Sequence, residues 1–299
     1  MPLAWYDVLL QLAARPGGLV GIRCAETTAL AAPISIGDAE GVRLLLAAGA
    51  DPNTPLPRDA EAPSSPAVYA AIRSYCPTEL VQLLLEAGAD PDAAGPDGRA
   101  PHQLAARRGR ADVARLVRRY GARPSATDVD FFLAVCMRAD RPAAERNLRR
   151  VDLDRLGDHG YATIARAAEV GNTAAVELMI DLGFPVNARS DDGGTPLRAA
   201  AYSGSAETAH LLLDRGADLE ARDTTWEFTP LVWATVGSGE RPTRNPQADW
   251  VATVRALLAA GASTEDITLS PEDPKPPSPE VAHLLRAHGV PNEHSKSKR

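Results

Sequence analysis

The stretch from Ser190 to Arg222, SDDGGTPLRAAAYSGSAETAHLLLDRGADLEAR, contains the signals that decide the fold. Its Thr195-Pro196 pair predicts a helix start, because a threonine hydroxyl can cap a helix and proline suits the first helical position. Gly204 separates this short, alanine-rich helix from a second helix at about residues 206–215. Gly216 then follows as a C-terminal glycine cap would. The stretch therefore predicts two short helices joined by a tight turn.

The same pattern returns along the chain at a nearly fixed interval. The glycines that open intact or weakened Gly-Ala-Asp copies are Gly49, Gly88, Gly121, Gly183, Gly216, Gly261 and Gly289. They are 39, 33, 62, 33, 45 and 28 residues apart, which indicates a 33-residue unit with insertions and one degraded copy. A repeat of this length predicts a solenoid, in which each unit buries its apolar face against its neighbours.

These residues resemble the ankyrin repeat, in which Thr-Pro-Leu-His and two alanines precede a leucine-rich second helix and Gly-Ala-Asp. The resemblance implies an all-α solenoid of about seven helix-turn-helix repeats with short β-hairpin or turn loops and terminal half-caps. We interpret residues 1–24 as an N-terminal capping helix, 25–292 as the solenoid and 293–299 as a disordered tail. His102 is interpreted as the family histidine, and Arg198 replaces it in the best copy.

Three segments depart from the repeat. Residues 125–157 have lost Thr-Pro and Gly-Ala-Asp, although Phe131–Val135 and Ala143–Leu148 suit the two helices of a degraded unit. Residues 54–65 and 237–248 are polar insertions. Insertions in solenoids become loops on one face, which is often the binding face, and a tolerated surface loop is the alternative interpretation.

Charge argues against nucleic acid as the partner. The formal net charge is −7, whereas nucleic-acid binding requires a basic face that neutralises phosphates. The densest basic segment, Arg107 to Arg119, is interpreted either as a solvated helix face or as a local docking patch for an acidic partner. No apolar run reaches the length that spans a membrane, so no membrane association is predicted.

Cysteine and lysine usage bears on compartment and origin. Cys24, Cys76 and Cys136 are widely spaced and odd in number, which favours reduced cysteines and a cytoplasmic protein. Almost all the positive charge comes from arginine, and together with the abundant alanine this suggests a high-GC bacterial coding sequence.

No sequence motif indicates catalysis, a cofactor or a metal. The chain lacks a phosphate-binding loop, a Gly-x-Ser-x-Gly nucleophile elbow and His-Glu-x-x-His. The sequence therefore predicts a protein that is not an enzyme and that holds neither cofactor nor metal. The alternative is a small-molecule or catalytic site in the degraded segment at residues 125–160.

The resemblance implies a concave groove, lined by hairpin tips and first helices, that binds another protein. Nine residues are assigned to it by position: Arg99, Arg107, Arg108, Asp191, Asp192, Tyr202, Ser203, Trp226 and Phe228. Tyrosine, tryptophan and arginine most often carry interface energy. In the competing interpretation, Trp226 folds back on Trp233 or Trp250. We predict a monomeric adaptor or regulator whose partner surrounds an apolar centre with a basic or mixed rim.

Overall fold

The computed structural model describes residues 29–56, 64–153, 156–190, 193–240, 245, 247–270 and 276–291. Within these ranges the regular elements are helices, and β-pairing is limited to isolated bridges such as that of Leu56 with Ser65. The predicted all-α fold is therefore confirmed. The predicted N-terminal capping helix and disordered tail lie outside the described residues.

The chain forms two compact units, residues 1–134 and 135–299. The helices of the first unit are α1 (Ala31–Ile36), α2 (Ala39–Ala47), α3 (Ala67–Arg73), α4 (Thr78–Glu86), α5 (Pro101–Arg107) and α6 (Ala111–Arg119). Helix α7 (Asp128–Met137) includes the boundary between the units. The second unit continues with α8 (Arg141–Leu148), α9 (Gly157–Tyr161), α10 (Thr163–Glu169), α11 (Thr173–Asp181), α12 (Pro196–Tyr202), α13 (Ala206–Asp214), α14 (Pro230–Glu240), α15 (Trp250–Ala259) and α16 (Pro279–Ala287).

The ends of α12 and α13 follow from the residues that flank them. The Thr195 side chain accepts a hydrogen bond from Arg198 N at 3.2 Å, and Pro196 is the first residue of α12. Beyond α13, Gly216 has a φ of 81°, a left-handed conformation that glycine adopts without steric cost. This conformation lets Ala217 N donate to Leu212 O at 2.9 Å. Both helix ends are where the sequence predicts them.

Small side chains bring the helices of the second unit close together. The first helices of successive repeats, α10, α12 and α14, pack in one row, and the second helices α11, α13 and α15 pack in another. Alanines fill the first row, among them Ala168, Ala200 and Ala234, each 0 % exposed. Larger residues such as Leu212, also 0 % exposed, fill the second. This burial between neighbours is what a solenoid requires.

A repeated hydrogen bond joins the loops that follow successive Gly-Ala-Asp copies. A polar side chain two residues beyond one copy accepts the backbone N–H at the third position of the next copy. The four pairs are Asn53 with Asp90 (2.8 Å), Asp92 with Arg123 (2.9 Å), Asn187 with Asp218 (2.9 Å) and Glu220 with Ser263 (2.8 Å). Each bond lies within one compact unit and sets the spacing between adjacent repeats there.

The degraded segment keeps its helices and uses a different start signal. Helices α7 and α8 contain the residues expected to form them. Asp130, 0 % exposed, accepts hydrogen bonds from Thr127 N at 2.9 Å and Gln103 Nε2 at 3.0 Å. Its other oxygen lies 3.5 Å from Arg107 Nη1. This buried carboxylate fixes the start of α7 where Thr-Pro is missing.

The second insertion begins later than the sequence suggests. Helix α14 continues to Glu240, through residues assigned to the insertion. Gly237 permits this, because a Cβ atom there would lie 2.1 Å from Tyr202 O. Farther along, the buried Asn245 donates to Ser205 Oγ at 2.8 Å, and Trp250 Nε1 donates to Tyr202 O at 3.0 Å. The described part of the insertion is therefore anchored on the turn that follows α12.

The described cysteines are core residues. Cys76 and Cys136 are both buried, and neither forms a disulfide. Burial raises the pKa of the Cys136 thiol to about 12, so it stays protonated near neutrality. Cys24 lies outside the described residues.

Candidate protein-binding surface

Four aromatic side chains form a continuous row in the second unit. Tyr202 comes from the end of α12, Trp233 from the first turn of α14, and Trp226 and Phe228 from the hairpin tip before α14. Successive ring centroids lie 5.4 Å apart (Tyr202 to Trp233), 5.7 Å (Trp233 to Phe228) and 6.4 Å (Phe228 to Trp226). The first two contacts are edge-to-face, an arrangement that aromatic pairs prefer. We call these four residues the aromatic row.

Trp226 ends the row and remains open to solvent. Its side chain is 62 % exposed, whereas Phe228, Trp233 and Tyr202 are half-buried. The ring beside Trp226 is that of Phe228, so Trp226 is not buried against the helices. Trp250 is occupied elsewhere, since its indole binds Tyr202 O. Solvent exposure therefore differs along the row, from the half-buried Tyr202 at one end to the exposed Trp226 at the other.

A single buried carboxylate holds the hairpin tip in shape. Asp223, 4 % exposed, accepts backbone hydrogen bonds from Thr225 at 3.0 Å, Trp226 at 2.7 Å and Phe228 at 3.2 Å. It also accepts the indole N–H of Trp233 at 2.7 Å, which ties the tip to α14. A tip ordered in this way loses little conformational entropy when a partner binds.

The Asp223 contacts make the tip sensitive to acid. Burial alone raises the pKa of Asp223, but the N–H groups of Trp226, Trp233, Thr225 and Phe228 outweigh it, so the pKa lies below the ordinary 3.8. A depressed pKa means that the contribution to stability is complete above 3.8 and is lost as the pH falls through the lower, folded-state value.

We therefore expect the Trp233 indole N–H resonance to be constant from pH 8 to pH 5 and to titrate at lower pH with a midpoint below 3.8. Two-dimensional ¹H–¹⁵N NMR measures this directly. Asp223→Asn is the control, because the amide keeps the shape and cannot titrate in this range. A resonance that titrates at or above pH 3.8, or that titrates equally in the variant, would show that Asp223 does not control the tip.

Charged groups border the row. The Arg198 guanidinium lies 5.1 Å from the centre of the Trp233 ring, over its face. A Cβ atom at Gly194 would lie 2.3 Å from that guanidinium, so the glycine leaves room for this stacking. Tyr202 OH donates to Glu240 Oε2 at 2.7 Å. The row thus combines an internal cation–π contact with carboxylates near both ends of α14.

Ser203 is not available to a partner, which corrects its assignment to the groove. Its side chain is 0 % exposed. The hydroxyl lies 3.0 Å from Ser205 Oγ and 3.3 Å from Ala200 O. The turn after α12 is packed against the insertion through Asn245, which buries this position. Asp191 and Asp192 lie outside the described residues.

The three arginines assigned to the groove are held by their own chain. Each makes a contact within the first unit: Arg99 with Asp97 at 2.8 Å, Arg107 with Asp130 at 3.5 Å, and Arg108 with Arg73 O at 2.8 Å. Only 12 % of the Arg107 side chain is exposed. The Arg108 guanidinium also lies 5.2 Å from the centre of the Tyr75 ring. These contacts within the chain explain why the three arginines are there, and no partner protein is needed to explain them. The arginines therefore do not strengthen the groove assignment.

His102 occupies a different repeat position from the one that the sequence suggests. Arg198 lies six residues before Gly204, and six residues before Gly109 is Gln103. His102 Nδ1 instead accepts a hydrogen bond from Ser125 N at 3.2 Å, which ties it to the following loop. Burial, with a smaller effect of Arg118, lowers the pKa of His102. The interpretation of His102 as the family histidine is therefore wrong by one residue.

Within the described ranges, no group of three or more His, Cys, Asp or Glu side chains is arranged to hold a metal ion. No helix there has the length and apolar character needed to cross a bilayer.

The family follows from the repeat architecture and from sequence comparison. The family profile described as "Ankyrin repeats (3 copies)" matches residues 29–128 and 131–223, which is more than half of the chain. The protein belongs to the ankyrin repeat family.

Relatives in this family share short segments with the chain. The "Inactive serine/threonine-protein kinase TEX14" of Bos taurus is 36 % identical over 91 residues, covering 30 % of this chain and 6 % of the relative. The "Protein phosphatase 1 regulatory subunit 27" of Mus musculus is 34 % identical over 73 residues, covering 24 % and 47 %. This chain thus spans less than half the length of these two relatives. Both relatives are mammalian and give no support to a bacterial origin.

A solved structure, "Crystal structure of human ASB11 ankyrin repeat domain", also aligns with the chain. The two are 22 % identical, the alignment covers 79 % of this chain and 99 % of the other, and the TM-score is 0.35.

Proposed function

We propose that this chain is a non-catalytic interaction module, an adaptor or regulator that binds a partner protein through the aromatic row. The observation that carries the proposal is Trp226, 62 % exposed at a tip that Asp223 holds in place. Exposing a large aromatic side chain is unfavourable unless something covers it part of the time. Tryptophan and tyrosine are also the side chains that most often dominate binding energy at interfaces. Trp226, Phe228 and Tyr202 are the residues proposed to bind.

Family membership supports a binding role. Ankyrin repeats expose a row of tips and first helices instead of enclosing a single cavity, and such surfaces suit protein partners. One relative is named as a regulatory subunit of protein phosphatase 1, a name that describes action on another protein. We further propose that the chain acts as a monomer in the cytoplasm, where buried, reduced thiols such as those of Cys76 and Cys136 persist.

A second candidate function places a site in the degraded segment. The observation in its favour is Phe131 on α7, which is 51 % exposed although it lies in a helix of the repeat array. The neighbouring Asp130 is already engaged with Thr127 and Gln103, so it is not held ready for chemistry. We therefore favour the aromatic row.

Site-specific photocrosslinking separates the two candidates. A benzophenone amino acid is placed at position 226 in one full-length variant and at position 131 in another, and both are irradiated in cell lysate. The proposal expects one discrete high-mass adduct from position 226, identified by mass spectrometry, and none that is reproducible from position 131. The same adduct from both positions, or an adduct from position 131 alone, would overturn the assignment. Circular dichroism checks that both variants fold.

A further inference from the structure

We propose that the tip formed by Trp226, Glu227 and Phe228, called here the acidic aromatic tip, recognises an arginine or lysine side chain within an apolar segment of the partner. This inference rests on the proposed function and specifies the chemistry of the partner. It follows from three separate features: a carboxylate that is not paired with a basic side chain, an exposed indole face and the net negative charge of the segment that contains the tip.

The first feature is the carboxylate of Glu227. This residue lies between the two aromatic side chains, is exposed, and has a φ of 55°, which makes it the turning point of the tip. Within the described ranges no basic side chain pairs with its carboxylate. Arg222 approaches the tip, but its Nη1 donates to the backbone O of Glu227 at 2.7 Å and its Nη2 binds Asp266 Oδ2 at 2.5 Å. The tip therefore presents a negative charge that its own chain leaves uncompensated there.

The second feature is the indole face of Trp226. Cations bind over aromatic faces, and tryptophan is the strongest of the aromatic side chains in this respect. The row already contains one such contact, since the Arg198 guanidinium lies over Trp233. Trp226, 62 % exposed, offers the same chemistry at the outer end of the row. Glu227 is the next residue of the same tip, so its negative charge would attract a cation to this indole.

The third feature is the charge of the segment that contains the tip. Residues 193–270 contain ten aspartates and glutamates, six arginines and no lysine. An excess of negative charge attracts basic segments over distances beyond direct contact and raises their association rate at low salt. An acidic partner segment would meet repulsion at the same place. The half-buried rings of Phe228 and Trp233 supply the apolar floor that the neighbours of the basic residue would cover.

Short peptides test this chemistry without knowledge of the partner. The probes are four acetylated, amidated peptides of sequence Gly-Leu-X-Leu-Gly, with arginine, lysine, norleucine or glutamate at X. Binding to the full chain is followed through the Trp226 indole N–H resonance, assigned with Trp226→Phe. We expect the arginine and lysine peptides to move this resonance and the glutamate peptide to leave it unchanged.

Glu227→Gln is the diagnostic variant, because it removes the charge and keeps the size of the side chain. We expect it to weaken binding of the arginine peptide by about two- to fivefold, the range of an exposed cation interaction. The matched control is Glu207→Gln, which removes an exposed carboxylate from α13 and should leave binding unchanged. Raising the salt concentration should also weaken binding to the wild type more than to Glu227→Gln.

The results distinguish failure of this inference from failure of the proposed function. If the norleucine peptide binds Trp226 as tightly as the arginine peptide, or if Glu227→Gln binds the arginine peptide as tightly as the wild type, the basic specificity is wrong. Crosslinking from position 226 would then still support a protein-binding surface. If no peptide moves the Trp226 resonance and position 226 yields no crosslink, both the basic specificity of the tip and the proposed function are wrong.

Discussion

Leu212→Ala is expected to lower the free energy of unfolding by about 2–5 kcal/mol, the range observed when a buried leucine is cut back and a cavity remains. Leu212 is 0 % exposed and lies on α13, which packs between α11 and α15. Neither neighbouring helix can close the gap without breaking its own packing against the next one. Urea denaturation followed by circular dichroism measures the loss, provided that the m-value is unchanged.

Leu213→Ala is the matched control for this prediction. The residue type is the same and the position is adjacent, but Leu213 is half-buried and turned partly to solvent. We expect a smaller loss, below about 2 kcal/mol, because less apolar surface is removed from the core. Equal losses at the two positions would mean that α13 does not turn Leu212 to the core and Leu213 partly to solvent.

The sequence predicts the repeat architecture well because its signals are local. Thr195 and Gly216 act on their own helix ends, through a cap and a left-handed turn, and these effects need no knowledge of the fold. The degraded segment shows where local signals fail. Its first helix starts with the help of Asp130. The side chains that contact this carboxylate, Gln103 and Arg107, come from the preceding repeat. No motif search within residues 125–157 could find those partners.

The candidate site was only partly predictable for the same reason. Trp226 could be assigned to a hairpin tip by counting from the repeat pattern, and its exposure agrees with that assignment. The role of Asp223 is not predictable from the sequence. It depends on a folded loop in which three backbone N–H groups and one indole N–H all donate to the same carboxylate. Ser203 was misassigned, because the insertion that covers it comes from about forty residues farther along the chain. A polar residue three positions before an exposed tryptophan was the available clue to Asp223.

Tyr202 illustrates how packing changes the design of a binding experiment. Its position in the repeat predicts a groove residue whose removal costs little stability. The structure shows an edge-to-face contact with Trp233 and a hydroxyl that donates to Glu240. Tyr202→Ala would therefore remove both a ring contact and a hydrogen bond, and a loss of binding would be confounded with a loss of packing. A single change at Trp226 avoids this problem.

Trp226→Ala is expected to weaken binding of the crosslinked partner at least about 30-fold, which corresponds to about 2 kcal/mol, the lower limit for a hot-spot residue. The exposed indole is the largest apolar surface at the tip, so covering it supplies most of the binding energy there. The effect should fall mainly on the dissociation rate, since charge sets association more than buried contacts do. Biolayer interferometry with the purified partner gives both rates.

The melting temperature should hardly change in the same variant, because Trp226 is 62 % exposed and, among the described residues, its ring contacts that of Phe228. Its backbone N–H, which binds Asp223, is kept by alanine. Phe131→Ala is the matched control, since it removes another exposed aromatic side chain, 51 % exposed, from the first unit. If Phe131→Ala weakens binding as much, the surface is elsewhere. If Trp226→Ala lowers the melting temperature by more than roughly 2–4 °C, the equivalent of about 1 kcal/mol in a domain of roughly 150–250 residues, Trp226 is a structural residue.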